Sequence, residues 1–365
     1  AKILFLIKKY LYTLFKCEIG DKMKNRQLLY IGNDKFKIIT QDLNQKCNEN
    51  EVMIKLLYCG ICGSDLGYTY VSNHSENNPI VLGHEMVGKI IDIGKNVTDF
   101  SIGDYVIANP GDSCGECEYC KSGRVNMCPN TKFTGFPPYN GFFQEYIKYP
   151  KKHLYKINVE NPLLATLVEP LAVCLHSLEL ADFKFGMTAY IAGAGGIGAS
   201  LLYLLKRYGA SKVIISEPNE HRRQIAKKLG ADLIINPTNK SSDEILNEMK
   251  SNGFTEVDRY FEASGSNSSL TYSTHLTKIG GQIIAIGIPK NDIFNISHSE
   301  ARKKALTIKM ERTIKNNIPT AIEILEHDDT LNILISKCIS FEDMVNNFSL
   351  VRNNEIESSR VIVKI

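Results

Sequence analysis

Residues 58–65 read YCGICGSD, and the two cysteines in it, Cys59 and Cys62, are separated by two residues. That spacing suits three chemistries: a redox pair, half of a zinc site, or one working thiol beside a bystander. A second run, CGECEYCKSGRVNMC at 114–128, places Cys114, Cys117, Cys120 and Cys128 with two, two and seven residues between them. Four thiolates on one short loop can close a tetrahedral shell and leave no open position, which is a structural zinc site. A disulfide pair or an iron–sulfur cluster also uses four cysteines, but no second cluster motif accompanies this run, so zinc is the reading. GHEMVG at 83–88 adds His84 and Glu85, and LVEPLAVCLH adds Glu169. A Cys, a His and one or more Glu make a mixed shell that can hold a zinc ion with a position open for chemistry.

A different chemistry is written at 193–198. The stretch GAGGIG matches G-x-G-x-x-G at Gly193, Gly195 and Gly198, after an apolar run and before a helical pattern. In that context Gly193, Gly195, Gly196, Ile197 and Gly198 form a turn whose backbone amides can approach a pyrophosphate at the helix N-terminus. Glu217 follows Gly198 by nineteen positions. A carboxylate there binds both ribose hydroxyls and repels a 2′-phosphate, which favours NAD over NADP. Arg222 and Arg223 stand close enough to leave some room for NADP.

These residues must be positioned by two kinds of structure. From Met23 the chain shows short apolar runs (LLYIG, KFKIIT, EVMIKLLY, MVGKIIDIG, SIGDYVIANP, FFQEYIKYP) split by polar turns, which read as strands. After Pro170 the pattern alternates: TAYIAG, KVIISE, DLIINP, DRYFEASG and GGQIIAIGIP are strands. ASLLYLLKRYG, HRRQIAKKLG and EILNEMKSNG between them are helices. That alternation predicts a parallel sheet with helical crossovers. PTAIEILEH then reads as a helix and ESSRVIVKI as a strand returning to the first domain.

The chain has 365 residues, enough for two domains, with 43% hydrophobic and 23% charged residues. Its net charge of +3 and the lack of a basic stripe argue against a nucleic-acid partner. No uninterrupted apolar run in the sequence reaches membrane-spanning length, and AKILFLIKKYLYTLFK at residues 1–16 is broken by lysines. Residues 1–22 read as an extension of doubtful status, with Met23 a candidate true start. Ten cysteines without a small disulfide scaffold suggest a reducing, cytoplasmic home.

The order YCGICGSD, VLGHEMVG, four-cysteine run, EPLAVCLHS, AGAGGIG resembles the zinc-containing medium-chain dehydrogenases, nearest their sorbitol or polyol branch. The resemblance implies an α/β chain: a GroES-like β-rich catalytic domain (23–170 and 313–365) and a Rossmann doubly wound parallel-sheet domain (171–312). It implies two zinc ions per chain, NAD, and a small polyhydroxy alcohol or ketone as substrate. The assembly it implies is a homodimer or homotetramer. By the same resemblance Cys62, His84 and Glu85 hold the catalytic zinc and Glu169 reaches it directly or through water. Ser64 carries the substrate proton, Asp65 steadies the site, Tyr68 and Phe133 line the substrate cleft, and Cys59 is a packing residue. Zinc acidifies a bound hydroxyl as it lowers the pKa of water from about 15.7 to roughly 7, and the nicotinamide takes the hydride.

Two features depart from the pattern. Many relatives have a histidine where this chain has Gly67. Sorbitol-type enzymes carry an Arg-Tyr pair where IKMERTIKN places Thr313 and Ile314, with Arg312 shifted by one. Arg312 either reaches a substrate hydroxyl or phosphate, or pairs on the surface with Glu311 or another carboxylate. A related polyol, sugar acid, cyclitol or vicinal diol therefore stays open as substrate. The rival readings are a threonine- or butanediol-type dehydrogenase and a catalytically silent NAD-binding relative. EPLAV at 169–173 favours the polyol branch over the threonine enzymes, which tend to carry Asn where Glu169 stands.

Overall fold

The computed structural model describes residues 23–44, 46–71, 74–289, 293–353 and 359–365. The expectations for residues 1–22 lie outside the described residues.

Residues 188–192 (TAYIA) are apolar almost throughout, as a strand covered on both faces must be. That strand is third in a six-stranded parallel sheet ordered 233–235, 212–216, 188–192, 257–262, 277–285, 307–310. The strand order reverses beside 188–192, between its neighbours 212–216 and 257–262. Ligands of doubly wound sheets bind at such a switch point, beyond the strands' carboxyl ends. Leu201, Leu202 and Leu205 on helix Gly196–Arg207 share one core cluster with Val213 and Ile215 of strand 212–216, and all five are buried.

The other large sheet is mixed. Its path runs 154–156, 105–108, 85–93, 51–60, 360–364, 335–339, and strand Tyr146–Pro150 also pairs with Glu51–Gly60. Strand Arg360–Lys364 comes from beyond the parallel sheet in sequence, yet Ile362, Val363 and Lys364 pair antiparallel with Gly60, Cys59 and Tyr58. Leu56, Cys59, Met86, Val106, Phe142 and Phe143 fill the core beneath this sheet.

Among the described residues, Pro162–Leu180 is the stretch long and apolar enough to cross a membrane, and 72% of its most apolar window is buried inside the protein. It is a short 3-10 helix running into helix Val168–Leu180, packed between the two sheets' cores. An all-round apolar helix of this kind is what a core position demands.

Candidate active site

The candidate site residues are gathered by one helix N-terminus and one strand start. Helix Gly63–Val71 begins directly after Cys62, and Asp65 in its first turn accepts a hydrogen bond from the Cys62 amide at 2.9 Å through Oδ2. Asp65 Oδ1 accepts from the Gly83 amide at 3.2 Å and lies 3.4 Å from His84 Nδ1. One buried carboxylate thus ties the Cys62 turn to the start of strand Glu85–Ile93. Facing His84 Nδ1, the carboxylate favours a proton on that nitrogen, which would leave Nε2 to offer its lone pair to a metal.

Cys62, His84 and Glu85 each offer one atom that could ligate a metal, and these atoms all lie within 4.8 Å of one another. Burial opposes the Cys62 thiolate, but His84 beside it overrides that and brings the thiol down to about 7. Burial likewise opposes the charged His84 ring, and Asp65 and Cys62 together hold it well above its ordinary value. Glu85 is 1% exposed, its Oε1 has no hydrogen-bond partner among the described residues, and it is ion-paired with Arg360. Gly60 stands opposite Glu85 in the sheet, where a Cβ would meet Glu85 Oε2 at 2.2 Å. The absence of a side chain there is what lets the carboxylate fold back toward Cys62. A thiolate, an imidazole nitrogen and a carboxylate with an unsatisfied oxygen, buried together, fit a zinc ion with an open position.

Glu169 opens helix Val168–Leu180 and is 7% exposed. It stands outside the tight Cys62–His84–Glu85 group. Burial pushes its carboxyl up to about 8; His84 opposes the shift, while Cys62 and Glu311 add to it. Ser64 Oγ lies 3.5 Å from His84 Nε2. The ring of Phe133 packs on His84 with centroids 5.6 Å apart, and Phe136 joins both, 5.7 Å from His84 and 5.5 Å from Phe133. Cys59 is fully buried and burial keeps its thiol well above the ordinary range, which suits a packing residue. At Gly67 an added Cβ meets nothing within 4 Å, so the place where relatives carry histidine is open space.

Cys114, Cys117, Cys120 and Cys128 form a second group with all four sulfurs within 4.8 Å. Sulfur–sulfur distances of 3.5 Å (Cys117–Cys120), 3.5 Å (Cys114–Cys128) and 3.9 Å (Cys114–Cys120) exclude disulfides, whose sulfurs lie about 2 Å apart. Four sulfurs at near-contact with no bond suit a closed tetrahedral zinc. The lobe is anchored by a reciprocal pair: Asn126 Nδ2 donates to the Arg312 carbonyl at 3.0 Å, and Arg312 Nε donates to the Asn126 carbonyl at 3.0 Å. Arg312 therefore serves the cysteine lobe. Glu311 instead meets His176, 3.1 Å from its Nδ1.

The glycine turn has the geometry its spacing predicts. Gly193 has φ of +95°, and a Cβ on Gly198 would lie 1.9 Å from the Gly193 carbonyl oxygen. Gly195 caps helix Gly196–Arg207. Glu217, buried at the end of strand Lys212–Ser216, accepts from the Ala194 amide at 2.7 Å and from the Asn219 amide at 2.9 Å. A cleft of about 330 Å³ runs from Cys62 and Gly63 to Gly195, Gly196, Ile197 and Arg222, with Arg360 along its wall. The structure thus brings the Cys62 end and the glycine turn into one space. Neither type nor spacing singles out Phe136, His176 and Arg360, and Glu311 enters the sequence reading only as a surface partner for Arg312, whereas it meets His176. For Arg360 no local signal exists, because its partner Glu85 is distant in sequence.

The chain matches the model of the alcohol dehydrogenase GroES-like domain over residues 48–159 and that of zinc-binding dehydrogenases over 196–327. It belongs to the zinc-containing alcohol dehydrogenase family, in its polyol-like branch, and the family's activity is oxidoreduction of CH–OH groups with zinc and a nicotinamide cofactor. Among its relatives, sorbitol dehydrogenase of Bacillus subtilis is 32% identical over 286 residues, 76% of this chain and 79% of that protein. An uncharacterized zinc-type alcohol dehydrogenase-like protein of Escherichia coli is 31% identical over 355 residues, 94% of this chain and 99% of that one. A crystal structure of an Escherichia coli oxidoreductase of unknown specificity superposes with a TM-score of 0.85 at 30% identity, covering 94% of this chain and 99% of that one.

If Asp65 orients His84 as the geometry indicates, Asp65→Asn lowers zinc affinity at the Cys62 site about 10–100-fold. Competition with a chromophoric chelator measures it, and wild-type affinity would remove Asp65 from that role.

Proposed function

We propose that this protein is an NAD-dependent dehydrogenase that converts a secondary alcohol of a small polyol, sugar acid or cyclitol into the ketone, and the reverse. The observation that carries the reading is the opening of the buried Cys62–His84–Glu85 group into the same cleft as the glycine turn. A hydroxyl at one end of that cleft and a nicotinamide reaching it from the other is the arrangement hydride transfer needs. The relationship to sorbitol dehydrogenase supports the polyol class.

Cys62, His84 and Glu85 would hold the catalytic zinc, with Glu169 close enough to share its field. The metal would supply the polarisation that acidifies the substrate hydroxyl. Ser64, 3.5 Å from His84 Nε2, would accept that proton and pass it on. Phe133 and Phe136, packed on the His84 ring, would help keep water from it. Cys114, Cys117, Cys120 and Cys128 would hold a second, structural zinc. At the far end, Gly193–Gly198 and the N-terminus of helix Gly196–Arg207 would receive the pyrophosphate, with Arg222 nearby. Glu217 keeps lone pairs for the ribose hydroxyls while bracing the glycine turn. The engagement of Arg312 with Asn126, and Thr313 and Ile314 in place of an Arg-Tyr pair, speak against sorbitol itself and leave a smaller or differently shaped polyhydroxy compound.

The test is NADH formation by absorbance, with polyols, cyclitols, sugar acids, their phosphates, threonine and butanediol offered to zinc-loaded protein. Turnover on the polyhydroxy group supports the reading. Turnover confined to threonine or butanediol replaces it with the rival dehydrogenase, and silence across the panel rejects it. Glu217→Ala is expected to weaken NAD and improve NADP relative to it; an unchanged ratio of the two kcat/KM values would take Glu217 out of the ribose site.

A further inference from the structure

Glu262 ends strand Val257–Glu262, beside strand 188–192 at the switch point, and is fully buried. Four donors converge on its Oε1: the Ser264 amide at 2.9 Å, the Ser264 hydroxyl at 2.5 Å, the Gly265 amide at 3.0 Å and the Ser269 hydroxyl at 2.7 Å. Its main-chain carbonyl accepts from the Ile286 and Gly287 amides at 2.8 and 2.9 Å. Oε2 has no hydrogen-bond partner among the described residues, and a Cβ on Gly287 would come within 2.5 Å of it. One residue thus pins two loops, 263–266 and 286–288. From those loops Ala263, Ser264, Gly265 and Ile288 line the cleft that runs to Cys62. The other amides of the first loop also turn inward, Ala263 onto the Ala192 carbonyl and Ser266 onto Ser264 Oγ. From 263 to 266, and at 286 and 287, every main-chain N–H is spent inside the protein.

A wall poor in donors and backed by a buried carboxylate suits a positive ligand and not an anion. The cations along the cleft are committed elsewhere: Arg360 to Glu85, Arg352 to Asp34, and Arg222 beside the glycine turn at Gly195. We propose that Glu262 makes this wall selective for the oxidised cofactor, whose nicotinamide ring is cationic, over the reduced one, whose ring is neutral. The inference rests on the dehydrogenase reading above and adds a redox preference to it. Hydride leaves the alcohol carbon with its electron pair and cancels the ring's charge, so the attraction that held NAD+ does not hold NADH. Glu262 is a positioning residue. It does not line the cleft, and it acts through the loops it pins and the charge it sets behind them.

Dissociation constants of NAD+ and NADH, measured by titration calorimetry on zinc-loaded wild type and Glu262→Gln, decide it. Glutamine keeps the shape and one accepting oxygen and removes the charge. The ratio of the NAD+ constant to the NADH constant is expected to rise about tenfold, the size of one poorly screened charge acting across a cleft. A loosened wall alone weakens both dinucleotides alike, so an unchanged ratio overturns the proposal. Glu262→Asp keeps the charge and is expected to keep the wild-type ratio even where both constants rise; a shift as large as the glutamine's overturns it. Should the glutamine variant fail to fold, wild type alone still decides. Benzamide adenine dinucleotide, whose ring has the shape of nicotinamide without its charge, is expected to bind more weakly than NAD+, and equal or tighter binding overturns the proposal. Wild type that binds neither NAD+ nor NADH rejects the dehydrogenase reading as well. Binding of both, with a ratio indifferent to residue 262, rejects this inference alone.

Discussion

Cys62→Ser is expected to abolish turnover and to remove one zinc per chain, with the second zinc and the circular dichroism spectrum kept. His84 beside it brings the Cys62 thiol down to about 7 against the opposing effect of burial, and Glu85 and His84 converge on the same point. A serine hydroxyl at that place is a far poorer zinc ligand because it does not ionise near neutral pH. Losing a metal that stabilises developing charge by several kcal/mol corresponds to roughly a 10³-fold or greater loss in kcat/KM. Metal content by mass spectrometry and NADH formation together measure it. Retained activity with both zinc ions bound would sink the assignment of Cys62 as a ligand.

The second large effect concerns stability. Cys117→Ser is expected to release zinc from the 114–128 lobe and to lower the unfolding temperature on the order of 10 °C. Loss of a bound structural metal belongs to the short list of changes that cost several kcal/mol. Glu118–Lys121 is a helix of a single turn and the lobe has little core of its own, so the four sulfurs are what define its shape. The Asn126–Arg312 pair carries the disturbance onward to the segment that bears Glu311 and hence His176 on helix Val168–Leu180. Differential scanning fluorimetry with and without a zinc chelator tests it. A variant that binds two zinc ions and melts with the wild type would remove the lobe from a structural role.

Metal chemistry made much of the candidate site readable in the sequence. Only a few side chains can bind zinc, so their types and spacing point to a site before any fold is known. The glycine turn was readable for a related reason, since Gly198 cannot carry a side chain against the Gly193 carbonyl. The alternating strands and helices of the parallel sheet announced themselves by period and punctuation. Helix Gly63–Val71 did not, because Gly63 and Gly67 are weak helix formers and the segment is ordered by Asp65 and its tertiary partners. Helix Val168–Leu180 is apolar on nearly every side, so no amphipathic stripe marks it as a helix. Arg312 shows the other limit: charge suggested a carboxylate partner or a substrate, whereas the structure gives it a backbone carbonyl in the cysteine lobe. Phe136 and Arg360 gain meaning only from neighbours that folding brings to them.

Strand Arg360–Lys364 has a consequence for how this protein is made. It pairs with Glu51–Gly60, and its first residue is the ionic partner of Glu85. The whole parallel sheet is synthesised between those two halves. As the chain emerges from the ribosome, Cys62, His84 and Glu85 appear early, while the strand that completes their sheet and the arginine that meets Glu85 arrive after the nucleotide-binding unit. The nucleotide-binding unit can fold in that interval, as domains generally do during synthesis. The metal-binding half must wait with an open sheet edge, and its closure is a long-range event of the slow kind. Premature release of the nascent chain before Arg360 would therefore leave thiols and an unpaired strand exposed together.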